Sequence, residues 1–190
     1  MLYLVRHGRT DANARGLLLG RADPPLSAEG HEQAAALGAW LPRDARVVAS
    51  PLRRTRETAA AFGRPVDVDE RWIELDYGDF DGLTFDEVSP DVWRAWRADA
   101  GFVLPNGESL LAVGERVRDA CDELADEAHE RDVIVVTHVS PIKAALAWAL
   151  QVTDAISWRV FVEVASVARV AIDERGASIR SLNEHAPPLS

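Results

Sequence analysis

Residues 2–13 read LYLVRHGRTDAN. Leu2–Val5 is an apolar run without polar alternation, the pattern of a short strand covered on both faces. The run ends abruptly in Arg6 and His7 and breaks at Gly8. A buried strand gains no packing from a guanidinium followed by an imidazole. The pair makes physical sense if the strand delivers both groups to a pocket. Gly8 is then expected to let the backbone turn away at little steric cost.

Val47–Ala49 and Val133–Thr137 are apolar runs of the same kind. Helical patterns lie between them. LSAEGHEQAAALGAWL (26–41) has Ser27 as its N-cap, with Glu29 and Glu32 early in the helix. Pro51–Phe62 reads as a helix with Pro51 in its first turn. Asn106–Glu130 holds a long amphipathic helix, and Pro141–Leu150 another with proline near its start. This order, β-α-β-α, an insertion, then α-β-α, predicts an α/β fold: a three-layer open, mainly parallel sheet with helices on both faces. VFVEVASVARVAI (160–172) and ASIRSLN (177–183), joined across DERG, read as a hairpin closing one sheet edge. The length suits one domain, 1–190, with a small helical cap insertion at about 82–106. In that insertion Trp93 and Trp96 either pack the cap or line a substrate entrance. The tail EHAPPLS is expected to be loosely ordered.

The 190 residues carry a net charge of −10. An acidic surface repels nucleic acid and anionic membrane, so neither is expected as a partner. No apolar run reaches transmembrane length and no signal peptide pattern is visible. The single cysteine, Cys121, precludes an internal disulfide and fits a reducing cytoplasm. It lies in a helical pattern as a small core residue. No oligomeric state follows from the pattern.

Ligands of open α/β sheets bind beyond the carboxyl ends of the strands. After the first strand come Arg6, His7, Thr10 and Asn13. After the second comes SPLRRTRETA (50–59), with Arg53, Arg54 and Arg56. After the Val133–Thr137 strand comes His138 in VVTHVSPIK (135–143). Between them lies ELDYGDFDGLT (74–84), with Glu74 and Asp76. His31 and His129 fall in helices and His185 in the tail. Two strand-end histidines with converging arginines form a cationic pocket on an acidic protein, and its natural guest is a phosphoryl group. His7, His138, Glu74 and Asp11 could instead be metal ligands. Fixed arginine charges beside them make a poor cation site, so no metal and no cofactor is expected.

LVRHGRTDAN resembles the signature of the histidine phosphatase superfamily, branch 1, the phosphoglycerate mutase-like clan. SPLRRTRETA is similar to that family's second arginine motif, ELDYGDFDGLT to its acidic motif, PNGESL (105–110) to the segment after its insertion, and VVTHVSPIK to its second-histidine motif. Val139 stands where the family has glycine, and this variant resembles phosphatases related to α-ribazole phosphatase. The resemblance implies a phosphoglycerate mutase-like fold and a phosphohistidine at His7. It implies that Arg6, Arg54 and His138 hold the phosphoryl oxygens, with Thr10, Asn13 and the turn at Val139 as further binding positions. It implies that Glu74, rather than Asp76, is the acid, and that Arg53 and Arg56 lie on the helix surface. The expected activity is metal-independent hydrolysis of a small phosphomonoester. Phosphoglycerate mutase is the alternative enzyme, and a non-catalytic phosphoryl-binding module the alternative outside enzymes. The short insertion, with Arg94 and Arg97 as its bases, favours the phosphatase.

Overall fold

The apolar runs form the centre of a six-stranded sheet in the computed structural model, which describes residues 1–188. The strands are β1 (Leu2–Arg6), β2 (Arg46–Ala49), β3 (Val66–Val68), β4 (Val133–Thr137), β5 (Val167–Asp173) and β6 (Gly176–Glu184), in spatial order β3-β2-β4-β1-β5-β6. β3, β2, β4 and β1 run parallel, while β5 and β6 are antiparallel. The sheet is therefore mainly parallel with an antiparallel hairpin at one edge.

Alternate residues of each central strand enter two separate cores. Leu2, Leu4, Val133 and Val135 join one apolar cluster, and Tyr3, Val5, Ile134 and Val136 the other. This two-sided burial is why the strands lack polar alternation. Helices α5 (Leu110–Glu130) and α6 (Val139–Leu150) cover the first face. Helices α2 (Ala28–Trp40) and α3 (Arg53–Ala60) cover the second. The remaining helices are the one-turn α1 (Asp11–Ala14) and α4 (Pro90–Ala98). Cys121 is fully buried on α5, as the helical pattern implied.

Local expectations hold in part. Ser27 caps α2 by accepting from the Gly30 N–H at 3.1 Å. α3, however, starts at Arg53 with Leu52 as N-cap, so Pro51 lies before the helix rather than in its first turn. β5 starts at Val167, later than the apolar pattern suggested, because Val160–Ser166 runs as irregular chain past the end of β1. The tail is tied down as far as Ala186, more than expected. Glu184 ends β6, His185 bonds Glu163 at 3.0 Å and Ala186 packs on the second core. Leu189 and Ser190 of that segment lie outside the described residues.

Gly8 does not serve as the sequence suggested. Its φ is not positive. Glycine is required there because a Cβ would stand 2.5 Å from the Gly30 carbonyl oxygen. Gly30 is equally constrained, since its Cβ would stand 2.1 Å from the Arg9 carbonyl oxygen. The first turn of α2 thus lies directly on the backbone that follows His7. Both obstacles are backbone, so neither can swing aside. Gly30→Ala should therefore destabilise the fold by about 1–3 kcal/mol, as overpacking does. Urea unfolding should show a lower midpoint with an unchanged slope, and an unaltered midpoint would refute this contact.

Candidate active site

β1 ends at Arg6 and places His7 at the carboxyl edge of the sheet, where His7 is 3% exposed. The ring Nδ1 lies 2.8 Å from the Gly8 carbonyl oxygen. A carbonyl only accepts, so Nδ1 carries the proton and Nε2 keeps its lone pair. Burial, then Arg54, then Arg6 hold the imidazole well below its ordinary pKa. The neutral ring is therefore the resting form at neutral pH.

Arg54 comes from the first turn of α3 and is fully buried. Its Nε–H donates to His7 Nε2 at 3.3 Å. Its other nitrogens donate to the carbonyls of Ala22 at 2.8 Å and Gly20 at 2.9 Å. Asp81 holds those carbonyls in place by accepting from the N–H of Gly20 (2.9 Å) and Ala22 (2.8 Å). Thr58 accepts from the Gly8 N–H at 3.0 Å and donates to the Arg54 carbonyl at 2.7 Å. Burial lowers the Arg54 pKa to about 10. Arg53 and Arg56 are exposed, as expected.

His138 is the N-cap residue of α6 and is fully buried. Its ring meets that of His7 edge-on, with centroids 5.2 Å apart. Ser50 Oγ lies 2.7 Å from its Nε2 and sets its orientation. Burial, with Arg54 and His7 next, holds its pKa well below the ordinary value. Arg6 donates from a terminal nitrogen to the Val162 carbonyl at 2.8 Å. Its buried Nε has no partner among the described residues.

Glu74 is 3% exposed and lies against the first turn of α6. Its carboxylate accepts from the N–H groups of Leu75 (2.7 Å), Val139 (3.0 Å) and Ser140 (3.1 Å). The backbone donor expected from the turn at Val139 is thus committed to Glu74, and Val139 meets the cavity with its side chain. Asp76 turns elsewhere, accepting from the Gly78 N–H at 2.9 Å. Thr10 is also committed. Its hydroxyl donates to Asn13 Oδ1 at 2.9 Å and caps α1. Asn13 spends its oxygen on that cap and keeps its NH2 as a donor at the cavity.

These elements surround a cavity of about 380 Å³. Arg6, His7, Asn13, Glu74, Tyr77 and Lys143, with two serines, supply its polar lining. Arg54 and His138 do not line it but contact the His7 ring. Phe85, Trp93, Trp96, Trp158 and Phe161 supply an aromatic wall. Trp93 stacks on Trp96 at 5.5 Å, and Trp158 meets Trp96 edge-on at 5.0 Å. Both readings of the α4 tryptophans therefore hold: they pack together and they line the cavity. Asp11 is exposed at the start of α1, whereas His7 and His138 are buried. Among the described residues no group of three or more His, Cys, Asp or Glu is arranged to hold a metal ion.

Sequence reasoning missed Ser50, Thr58, Asp81 and Lys143. All four lie inside the quoted motifs, but their types carry no distinctive signal. Each acquires its place from segments distant in the chain.

Comparisons of the whole chain with known proteins give its relatives. A bifunctional protein of Mycobacterium tuberculosis is 35% identical over 194 residues, covering 96% of this chain and 53% of the relative. The chain thus spans about half the length of that relative. Phosphoserine phosphatase 1 of Hydrogenobacter thermophilus is 33% identical, with 96% and 91% covered. The crystal structure of the α-ribazole phosphatase from Shigella flexneri superposes with a TM-score of 0.84 at 28% identity, covering 100% of this chain and 98% of that one. The resemblance read from the motifs is thereby borne out in both sequence and fold. The model of the histidine phosphatase superfamily, branch 1, matches residues 2–185. From the strand that leads into His7 to the closing hairpin, this chain belongs to the histidine phosphatase superfamily, branch 1.

Proposed function

We propose that this chain is a metal-independent phosphomonoesterase that hydrolyses small phosphorylated metabolites through a phosphohistidine at His7. The carrying observation is the state of His7: a neutral ring, anchored through Nδ1, with the Nε2 lone pair presented beside Arg54. Nε2 attacks phosphorus in line with the ester oxygen. The P–O bond breaks, and Glu74, having taken up the proton of a monoanionic ester on substrate binding, passes it to the departing alcohol. Forming the N–P bond consumes the lone pair that accepted from Arg54. The released Arg54 Nε–H then turns to a phosphoryl oxygen. Arg6, His138 and the Asn13 amide complete the cradle, and Thr10 acts through Asn13. Water, deprotonated by Glu74, attacks the phosphorus and regenerates His7 with release of inorganic phosphate. The covalent intermediate divides the transfer into two displacements. The arginines supply the positive charge that a phosphoryl transition state requires, so the scheme needs no metal.

The family relatives named as phosphatases support hydrolysis. An α-ribazole phosphate-like ester is one candidate substrate, given the Shigella relative and the aromatic wall. The segment 82–106 serves in this reading as a cap over a single domain. Its two bases are occupied: Arg94 pairs with Asp91, and Arg97 lies 5.6 Å over the Trp158 ring. Neither is free for the extra charges of a phosphoglycerate mutase substrate. The net charge of −10 argues against nucleic-acid or membrane partners. Among the described residues no helix is long and apolar enough to cross a membrane. The single buried cysteine is compatible with a cytoplasmic setting.

Four outcomes test this function. Rapid quenching during turnover should trap acid-labile phosphate on His7, and His7→Ala should lose nearly all activity. Protonation would remove the nucleophile's lone pair, and the His7 pKa is held well below 6.5. The acid limb of kcat/KM due to His7 should therefore fall well below pH 6.5. A limb at the ordinary histidine value would contradict the buried, arginine-flanked ring. Glu74→Gln should slow alkyl phosphates at least ~10-fold more than 4-nitrophenyl phosphate, whose leaving group needs little protonation. Equal losses would remove Glu74 from the proton-donor role. Prolonged EDTA treatment should leave kcat unchanged, and activity lost to EDTA and restored by zinc, manganese or magnesium would overturn the metal-free scheme.

A further inference from the structure

Lys143 is the only lysine in the chain; every other base of fixed charge is an arginine. It lies on α6 one turn beyond Val139 and lines the same cavity as His7 and Glu74. Most arginines of this acidic protein pair with carboxylates, Arg46, Arg71 and Arg116 among them. Lys143 has no ion pair among the described residues. Burial lowers its pKa; Glu74 opposes that shift and Arg6 adds to it, so all three groups share one electrostatic environment. Lys143 is half-buried, and its ammonium has no hydrogen-bond or ion-pair partner among the described residues, so its donors are open to a guest in the cavity.

The phosphoryl end of the cavity already has its cations in Arg6 and Arg54. Lys143 is therefore left for the alcohol half of the substrate. Glu74 lies close enough to weaken the field of Lys143, and a lone ammonium so placed cannot balance a second dianion. A single negative charge fits. Lysine also acts as a compact point charge on a flexible stem, which suits a carboxylate without demanding bidentate geometry.

We propose that Lys143 is a specificity residue that binds a carboxylate on the leaving group, so that the preferred substrates are phosphorylated hydroxy acids. This rests on the phosphomonoesterase reading above and narrows its substrate class, placing carboxylate-bearing esters ahead of the α-ribazole phosphate-like candidate.

The test compares 3-phosphoglycerate with sn-glycerol 3-phosphate. The two are primary alkyl phosphates of similar size, and a carboxylate in one replaces a CH2OH in the other. The wild-type protein should favour 3-phosphoglycerate in kcat/KM by about tenfold or more, the worth of one charge-assisted contact. Lys143→Met should bring the ratio close to one, chiefly by raising KM for the acid, and Lys143→Arg should retain part of the preference. A wild-type ratio near one, or a ratio unchanged in Lys143→Met, overturns the proposal. Equal losses on both substrates also overturn it, since they would mean that Lys143 only neutralises Glu74. Amine labelling of the wild-type protein with trinitrobenzenesulfonate, mapped to the Lys143 peptide, covers the case of a misfolded variant. 3-Phosphoglycerate should protect Lys143 at saturation and glycerol phosphate should not; equal protection overturns the inference. Turnover of both esters without discrimination defeats this proposal alone, whereas turnover of no phosphomonoester defeats the phosphomonoesterase reading.

Discussion

Arg54 is a fully buried guanidinium that forms no ion pair with a carboxylate among the described residues. A buried charge left in this way costs several kcal/mol unless its donors are satisfied. Here the carbonyls of Gly20 and Ala22 and the lone pair of His7 satisfy them. The burial still registers in its pKa, lowered to about 10. Asp81 fixes the loop that supplies the carbonyls, and Thr58 ties the Arg54 turn to Gly8. Four distant segments thus form one hydrogen-bonded unit around a single imidazole. A carboxylate on Arg54 would stabilise the charge more simply, but it would also occupy the electrostatic position that a phosphoryl group needs. The carbonyls hold the guanidinium without neutralising it.

The first turn of α6 follows a related logic. Helix N-termini are ready sites for anions, because their N–H groups are unpaired and the dipole favours negative charge. In this protein the anion at that terminus is Glu74. Its backbone is held in turn, since Arg116 donates to the Glu74 carbonyl at 3.3 Å and is paired with Glu108 at 3.0 Å. The motif PNGESL thereby supports the acidic loop through Glu108. In the proposed reaction, with the helix donors committed to Glu74, binding of a phosphoryl group would fall to side chains, Arg6 and Arg54 among them.

The aromatic wall joins the cap segment to this polar centre. Trp96 is buried against Trp93 and Trp158, so α4 is fixed by packing rather than by its charged residues. The cavity therefore pairs an apolar side with a cluster of charged groups, the usual composition of a small-molecule site. Lys143 belongs to that cluster and carries the one ammonium side chain of the chain.

The sequence by itself determined the sheet and the helical layers, through apolar runs too uniform for a one-sided strand and a capping serine. It also set His7, His138 and a group of arginines at strand ends. The choice of Arg54 over Arg53 and of Glu74 over Asp76 came from the motifs' resemblance to a family, not from local signals. Tertiary structure alone decided which polar atoms remain free. Thr10 looked like a donor to the guest and is spent on Asn13, and the Val139 N–H is spent on Glu74. Gly8 looked like a turn residue and is a contact with Gly30. Asp81, Ser50 and Lys143 drew no attention until Arg54, His138 and the cavity were placed beside them. The physical reason is the same in each case. Residue type states what a group can donate, accept or tolerate, but whether that capacity is used depends on atoms brought within about 3 Å by remote parts of the chain.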